Sequence, residues 1–284
     1  MQTPQQKFSV SLHRADFEQL KAQYPHQADI LETLAETLGP KTVIPETAFT
    51  PQILKKLDAK LIDHLYRLAY NLREEKFWSY YIQLSEILKL PKSRVRNILE
   101  IGKGQGIFES LISNFDYHYL TLDIKPEFAP DIRGNVLNLP IADRSIDLIC
   151  AFEVLQHLPH SHFKSAIKEL SRCARQFVFL SLPCPTSSIY FQFRANFLQR
   201  ILRKMSSHVN LFYMLPFTLP DKNETQLLER EDTHNPHYWE VNRKSYSKRS
   251  VLAEIASCDL HVTKTFHNPY YAYHLFILCE VNNP

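Results

Sequence analysis

The stretch NILEIGKGQGIFESLISNF, residues 97–115, runs an apolar strand-like segment into a glycine-spaced turn and then into a helical segment. That succession predicts the strand–turn–helix unit that opens a doubly wound α/β domain. The chain of 284 residues holds five glycines, and Gly102, Gly104 and Gly106 all fall in this one turn. Glycine here lets the backbone leave the strand sharply and lets a ligand lie against bare main chain, in front of the N–H groups that begin the next helix. A purely structural turn uses glycine as well, so a second signal is needed. Asp123 supplies it by ending the next apolar run, HYLTLDI (118–124), where a doubly wound fold places a carboxylate to accept hydrogen bonds from ribose hydroxyls.

Working outward from this unit, SIDLICAF (145–152) and QFVFLSL (176–182) read as further buried strands, with helices beginning near Gly106 and Ser161. A last helix at 247–258 and the runs LHVTKTF (260–266) and YAYHLFILCE (271–280) predict a closing antiparallel hairpin. Upstream the period changes. Leu54, Leu57, Leu61, Leu65, Leu68 and Leu72 recur at three- and four-residue spacing, which puts them on one helical face that needs a partner. Residues 1–94 are therefore expected to form a helical N-terminal cap or lid, and 95–284 the α/β domain with an insertion at about 183–242. The insertion opens with SSIYFQFRANFLQRILRKM, in which Ile189, Phe193, Phe197, Ile201, Leu202 and Met205 fit one face of a helix, either a core helix or a substrate cover.

Composition narrows the function classes. A net charge of +3 with 22% charged residues is far from the single-sign excess of a nucleic-acid binder, so nucleic acid is not the expected partner. The start, MQTPQQKFSV, lacks a basic segment followed by an apolar run, and no stretch is apolar for the roughly 18 residues a spanning helix needs. A cytoplasmic protein without membrane insertion is expected. The five cysteines, Cys150, Cys173, Cys184, Cys258 and Cys279, are scattered and form no C-x-x-C pair, which predicts reduced, buried thiols and no zinc site. Basic clusters at 200–204 and 243–249 are read as solvated faces, with contact to a phosphate of RNA or of a metabolite as the sharper alternative.

Residues 100–106, EIGKGQG, resemble the E/D-x-G-x-G-x-G signature of class I S-adenosylmethionine-dependent methyltransferases, close to the bacterial type 11-like group whose substrates are unassigned. Asp123 matches the ribose acid of that family, and GNVLNLPIADRSIDLICAFEVLQHL resembles the segment that follows it, so the likeness runs from about 97 to 183. The resemblance implies a Rossmann-like, seven-stranded, mostly parallel sheet with an antiparallel C-terminal hairpin. It implies S-adenosylmethionine as cofactor and S-adenosylhomocysteine as product. Carried over by position, Glu100 would hold the methionine amino group, while Gly102, Gly104 and Gly106 would approach its carboxylate and the sugar. Asp123 would bind the ribose and Ile124 would pack on the adenine. Asn135 and Val136 would meet the adenine edge, and Phe152 and Glu153 would border the methyl donor. Two positions depart from the family pattern. Lys103 stands where a small residue is usual and either reaches the cofactor carboxylate or points to solvent, the favoured reading; Asn135 replaces the more frequent aspartate but keeps an acceptor oxygen.

Methyl transfer from a sulfonium asks the protein mainly to position the acceptor and to take a proton from a hydroxyl or amine. His157 in EVLQHLP, and His237 with Glu240 in DTHNPHYWEVN, are the candidates for that work. A packing role for His157 is the competing reading. The 237–240 segment resembles an H-x-W-E stretch of methyltransferase-like bacterial proteins. It reads equally as an acceptor pocket, with Tyr238 and Trp239 stacking on substrate, or as a loop plugged onto the sheet by Trp239. A metal held by Asp232, His234, His237 and Glu240 matches no firm spacing, and no metal is assigned. The favoured acceptor is a small molecule or a sugar- or lipid-linked metabolite; RNA or protein, and a non-catalytic scaffold, are the alternatives, and a homodimer is an open assembly state.

Overall fold

The structure is a computed structural model and describes residues 14–29, 31–32, 74–194, 208–215, 218–221 and 237–282. The chain divides into two compact units, Met1–Trp78 and Ser79–Pro284. In the first, helix α1 (Arg14–Gln23) buries Leu20, and Lys21 at its last turn pairs with Glu18 at 3.0 Å. The leucine face expected from Leu54 to Leu72 lies outside the described residues.

The second unit is built on a seven-stranded sheet. Its strands are β1 (Asn97–Ile101), β2 (His118–Asp123), β3 (Ile132–Arg133), β4 (Ile146–Phe152) and β5 (Ala174–Pro183), followed after β6 (Ser187–Arg194) and β7 (His208–Leu215) by β8 (Leu260–Asn268) and β9 (Tyr271–Val281). The order across the sheet is β3-β2-β1-β4-β5-β9-β8, parallel from β3 to β5 and antiparallel at β9 and β8. Chain order reverses between β1 and β4, which opens a crevice at the carboxyl ends of those strands. Every strand read from the sequence is present, with β3 added as a two-residue edge too short to show a period.

Both faces of the sheet are covered, which is why β1, β4 and β5 are continuous apolar runs. Helix α2 (Glu74–Lys89) crosses the unit boundary; its later residues and α3 (Ile107–Ile112) cover one face, with Ile87, Phe108 and Ile112 packed on Ile98, Leu148, Phe179 and Phe276. Helices α4 (Phe163–Cys173) and α5 (Lys248–Ala256) cover the other, packing Phe163, Ile167, Leu170 and Ile255 on Leu99, Ile149, Val178 and Ile277. The five cysteines are free and buried. Edge strand β8 carries Lys264, whose ammonium reaches buried Glu86 at 2.6 Å, a charge that discourages pairing with another strand. Among the described residues no helix is long and apolar enough to cross a membrane.

Ser247 caps α5 by accepting the Ser250 N–H at 3.1 Å. Replacing Ser247 with alanine orphans that donor and is expected to cost about 1 kcal/mol in chemical denaturation, with no change in the denaturant slope.

The insertion corrects the sequence reading. Residues 187–194 form a strand, not the start of a helix, and pair antiparallel with β7 as a separate two-stranded sheet. SSIYFQFR alternates with period two and is rich in aromatic residues, so it satisfies a strand more completely than the single Ile189–Phe193 step satisfies a helix. Phe197, Ile201, Leu202 and Met205 lie outside the described residues.

Candidate functional site

The turn after β1 has the backbone that its glycines allow. Gly102, Gly104 and Gly106 have φ of 82°, 54° and 72°, the left-handed region that side chains avoid. At Gly102 the constraint is also steric, because a Cβ would meet Val154 Cγ2 at 2.3 Å. At Gly104 the same test meets nothing within 4 Å, so this backbone faces open space. Asp123, at the end of β2, spans the turn: Oδ2 accepts the Gly104 N–H at 3.3 Å and Oδ1 the Lys125 N–H at 2.9 Å. Each carboxylate oxygen has a second acceptor position beyond these bonds. Ile124 follows with 57% of its surface exposed beside that carboxylate.

Glu100 is buried at the end of β1 and accepts the Tyr119 hydroxyl proton at 2.7 Å. Burial pushes its carboxyl up to about 8, and the neighbouring Glu109 and Asp123 add to the rise against the pull of Tyr119 and Lys103. Lys103 does not point to solvent as expected. It folds back over the turn, donating to the Ala129 carbonyl at 2.9 Å and pairing with Glu109 at 3.0 Å, because two acceptors within reach outweigh one solvated ammonium. Val136 is buried in the core, whereas Asn135 is exposed and its Oδ1 accepts the Leu137 N–H at 3.0 Å.

Across the crevice, Phe152 ends β4 with its ring edge-on to Phe108 and Phe179, at centroid distances of 5.3 and 5.2 Å. Glu153 turns off the strand at φ 56°, held by its N–H to the Ser181 carbonyl at 3.1 Å. Its carboxylate accepts from the Ser181 hydroxyl at 3.0 Å and from Gln156 Nε2 at 3.3 Å, and lies 3.5 Å from His274 Nε2. His274 is buried, with Nδ1 2.7 Å from the Ser79 hydroxyl.

Beside this group the structure brings together the three candidates for proton handling. The His157 and His237 rings meet edge to face at 5.0 Å. His237 Nδ1 lies 3.3 Å from the Tyr273 hydroxyl and 3.6 Å from Glu240. Glu240 is buried, accepts the Tyr273 proton at 2.8 Å and is gripped by Arg243 through Nε at 2.9 Å and a second, shorter contact from Nη2. Burial and the Glu240 charge hold the Tyr273 phenol far above its usual range. With the phenol proton committed to Glu240, the Tyr273 oxygen can only accept from His237, which places a proton on Nδ1 and leaves Nε2 as the basic nitrogen. Trp239 is core: it is buried on Phe163 and donates to the Leu158 carbonyl at 3.1 Å, so it is the plug rather than a stacking platform, while Tyr238 stays exposed. Asp232 and His234 lie outside the described residues.

Tyr273, His274, Ser181 and Arg243 belong to this rim and escape the sequence reading. The one available signal is a histidine inside the apolar run YAYHLFILC; its meaning depends on β9 running antiparallel to β5, which pairs His274 with Pro183 at the carboxyl rim. Arg243, read as part of a solvated cluster, is tied to Glu240 instead.

A doubly wound sheet with a glycine turn and a strand-end carboxylate at its switch point defines a domain that binds an adenosine-type ligand. Residues 99–180 match the family model of the methyltransferase domain. Residues 99–180 thus carry a methyltransferase domain, with S-adenosylmethionine as its cofactor. No curated protein matches the sequence. Among solved structures, the CurJ carbon methyltransferase is similar at 14% identity over 95% of this chain and 71% of that one, with a TM-score of 0.47. An S-adenosylmethionine-dependent methyltransferase from Clostridium acetobutylicum is similar at 10% identity over 79% and 98%, also with a TM-score of 0.47. The 1,6-didemethyltoxoflavin-N1-methyltransferase of Burkholderia thailandensis, solved with 1,6-didemethyltoxoflavin and S-adenosylhomocysteine, gives 10% identity, 79% and 87% coverage and a TM-score of 0.46. Likeness at this level carries nothing about the acceptor.

Proposed function

We propose that the protein moves a methyl group to an oxygen or nitrogen of a small molecule or a sugar- or lipid-linked metabolite. The observation that carries this reading is the His157–His237 pair beside Glu240, Tyr273 and Arg243 at the carboxyl rim. These groups are buried or half-buried rather than spread over an exposed basic surface, which suits a compact acceptor better than a polynucleotide.

The turn fits the cofactor: Gly104 faces open space, Asp123 keeps acceptor positions for the ribose, and Ile124 offers an exposed apolar side chain to the adenine. Glu100 would receive the ammonium of the methionine part, while Phe152 and Glu153 would border the methyl end. Asn135, with Oδ1 turned to Leu137, would reach the adenine amine through its remaining acceptor position, and the Val136 N–H would meet the ring. The bound cofactor supplies an activated, cationic methyl donor. Nε2 of His237 takes the acceptor's proton, with Nδ1 oriented by Tyr273 and Glu240. Glu240 has both oxygens engaged and serves to orient, not to abstract. His157 walls the same space.

The test is to incubate the protein with methyl-labelled S-adenosylmethionine and fractionated metabolite extract and to follow label by mass spectrometry. Label is expected in a small molecule, and His237→Ala should lower the rate about 100- to 10,000-fold while cofactor affinity stays level. Label in RNA or protein would overturn the acceptor class. Tight cofactor binding without turnover on any fraction would point to the scaffold role instead.

A further inference from the structure

Lys103, one of the two positions at which the chain departs from the family pattern, ties together three segments that meet around the adenosine site. The first is the glycine turn to which it belongs. The second is the first turn of α3, which supplies the Glu109 carboxylate at 3.0 Å, and the third is the connection from β2 to β3, which supplies the Ala129 carbonyl at 2.9 Å. Two of the three ammonium protons are committed in this way, and only 14% of the side chain is exposed. The pair lies against Gly106, where a Cβ would meet Glu109 Oε2 at 3.0 Å and Lys103 Cε at 3.3 Å. The third glycine therefore leaves the space that the ion pair fills.

The β2–β3 connection is the segment that needs holding. It carries the exposed Ile124, contains one 3-10 turn (Pro126–Phe128), and then passes through Ala129 at φ 44°, a strained conformation for a residue with a Cβ. Its ends are pinned. The Lys125 N–H donates to Asp123 at 2.9 Å, and the Asp131 carboxylate accepts the Thr121 N–H at 2.8 Å and the Thr121 hydroxyl at 2.7 Å. Between those ends the Phe128 and Ala129 N–H groups bond within the segment, to Lys125 and Pro126, and Lys103 adds a bond from its middle to the glycine turn.

We propose that Lys103 is a positioning residue for the cofactor, bracing the β2–β3 connection against the glycine turn so that the surfaces for ribose and adenine are set before the ligand arrives. The brace acts on the adenosine half and not by pairing with the carboxylate of the methionine half. It rests on the placement of adenosine at Asp123 and Ile124 given under the proposed function. A loop ordered in advance has less freedom to lose on binding, so the affinity gained is that of pre-organisation and not of a new contact.

The experiment titrates the native chain, Lys103→Met and Asp123→Ala with S-adenosylmethionine and with 5′-methylthioadenosine, reading weak binding by ligand-detected NMR. The second probe keeps the adenosine and has neither ammonium nor carboxylate, so it is blind to the protonation of Glu100, which Lys103 also influences. Lys103→Met is expected to weaken 5′-methylthioadenosine roughly tenfold while the unfolding midpoint stays close to native. In the ligand-free protein it should speed amide exchange at 124–131 and leave β4 and β5 protected. Weakening confined to S-adenosylmethionine would put the ammonium on the cofactor carboxylate and overturn the brace. So would a fall in stability with native affinity for both ligands. If Lys103→Met misfolds, Glu109→Ala removes the second anchor and should weaken 5′-methylthioadenosine severalfold; native affinity there overturns the brace as well. Native affinity in Asp123→Ala would overturn the placement of adenosine and the brace with it, whereas a loss there beside native affinity in Lys103→Met overturns the brace alone.

Discussion

Calorimetric titration with S-adenosylmethionine is expected to show micromolar binding by the native chain and a loss of about 100- to 10,000-fold in Asp123→Ala. The range follows from removing two hydrogen bonds to a charged acceptor, at roughly 1.5–3 kcal/mol each. Asp123 also pins the glycine turn through Gly104 and Lys125, so alanine loosens the binding loop as well as deleting the ribose contact. Asp123→Asn is a smaller change, since its remaining oxygen can still accept the Lys125 N–H while its NH2 group can accept neither from the Gly104 N–H nor from ribose. A large loss with asparagine as well as with alanine assigns the effect to the Oδ2 side of the carboxylate; near-native affinity in either variant would remove Asp123 from the site. No binding by well-folded native protein would remove the cofactor from the fold altogether.

Glu100 should make cofactor affinity depend on pH. Its carboxyl, raised to about 8 by burial, is mostly protonated at neutral pH, whereas a carboxylate facing a bound ammonium is not. Binding therefore releases a proton, and affinity rises by up to about tenfold per pH unit from pH ~6 to ~8, where the α-amino group itself begins to titrate and the rise ends. Titrations in two buffers of different ionisation enthalpy count the proton directly. Glu100→Gln should abolish both the release and the slope. A native slope that persists in that variant would show another group to be responsible. The cofactor-free protein carries the converse sign. Because the folded value of about 8 lies above the ordinary 4.5, the folded state holds the proton more tightly. Stability then falls by up to about 1.4 kcal/mol per unit as pH rises between those values and levels off beyond them. Melting curves across that range should be flatter for Glu100→Gln.

Local signals made the centre of the fold legible. Gly102, Gly104 and Gly106 advertise left-handed backbone, because only glycine adopts it without strain. The apolar runs of β1, β4 and β5 advertise strands covered on both faces, because helices must shield both sides of a parallel sheet. Asp123 and Glu100 were readable for the same reason, since each sits at a fixed offset from a strand end. The insertion was not. Ile189 and Phe193 satisfy a helical step and a strand alternation alike, and β6 is decided by its pairing with β7 (His208–Leu215), which lies outside the local window that a period is read from. Lys103 was misread because the Ala129 carbonyl and the Glu109 carboxylate are brought to it only by the folded turn.

The sequence by itself determined the doubly wound sheet, the glycine turn and the carboxylates that flank it, because these depend on backbone conformation and on periodicity within a few residues. The tertiary structure alone decided that Trp239 is a plug, that Glu240 is gripped by Arg243 and Tyr273, and that His274 reaches Glu153. It also decided that Ile189, Phe191, Leu211 and Tyr213 share one exposed face of the β6–β7 pair. Those outcomes depend on which strand lies beside which and on which carboxyl rim each chain end reaches, distances that no local pattern encodes.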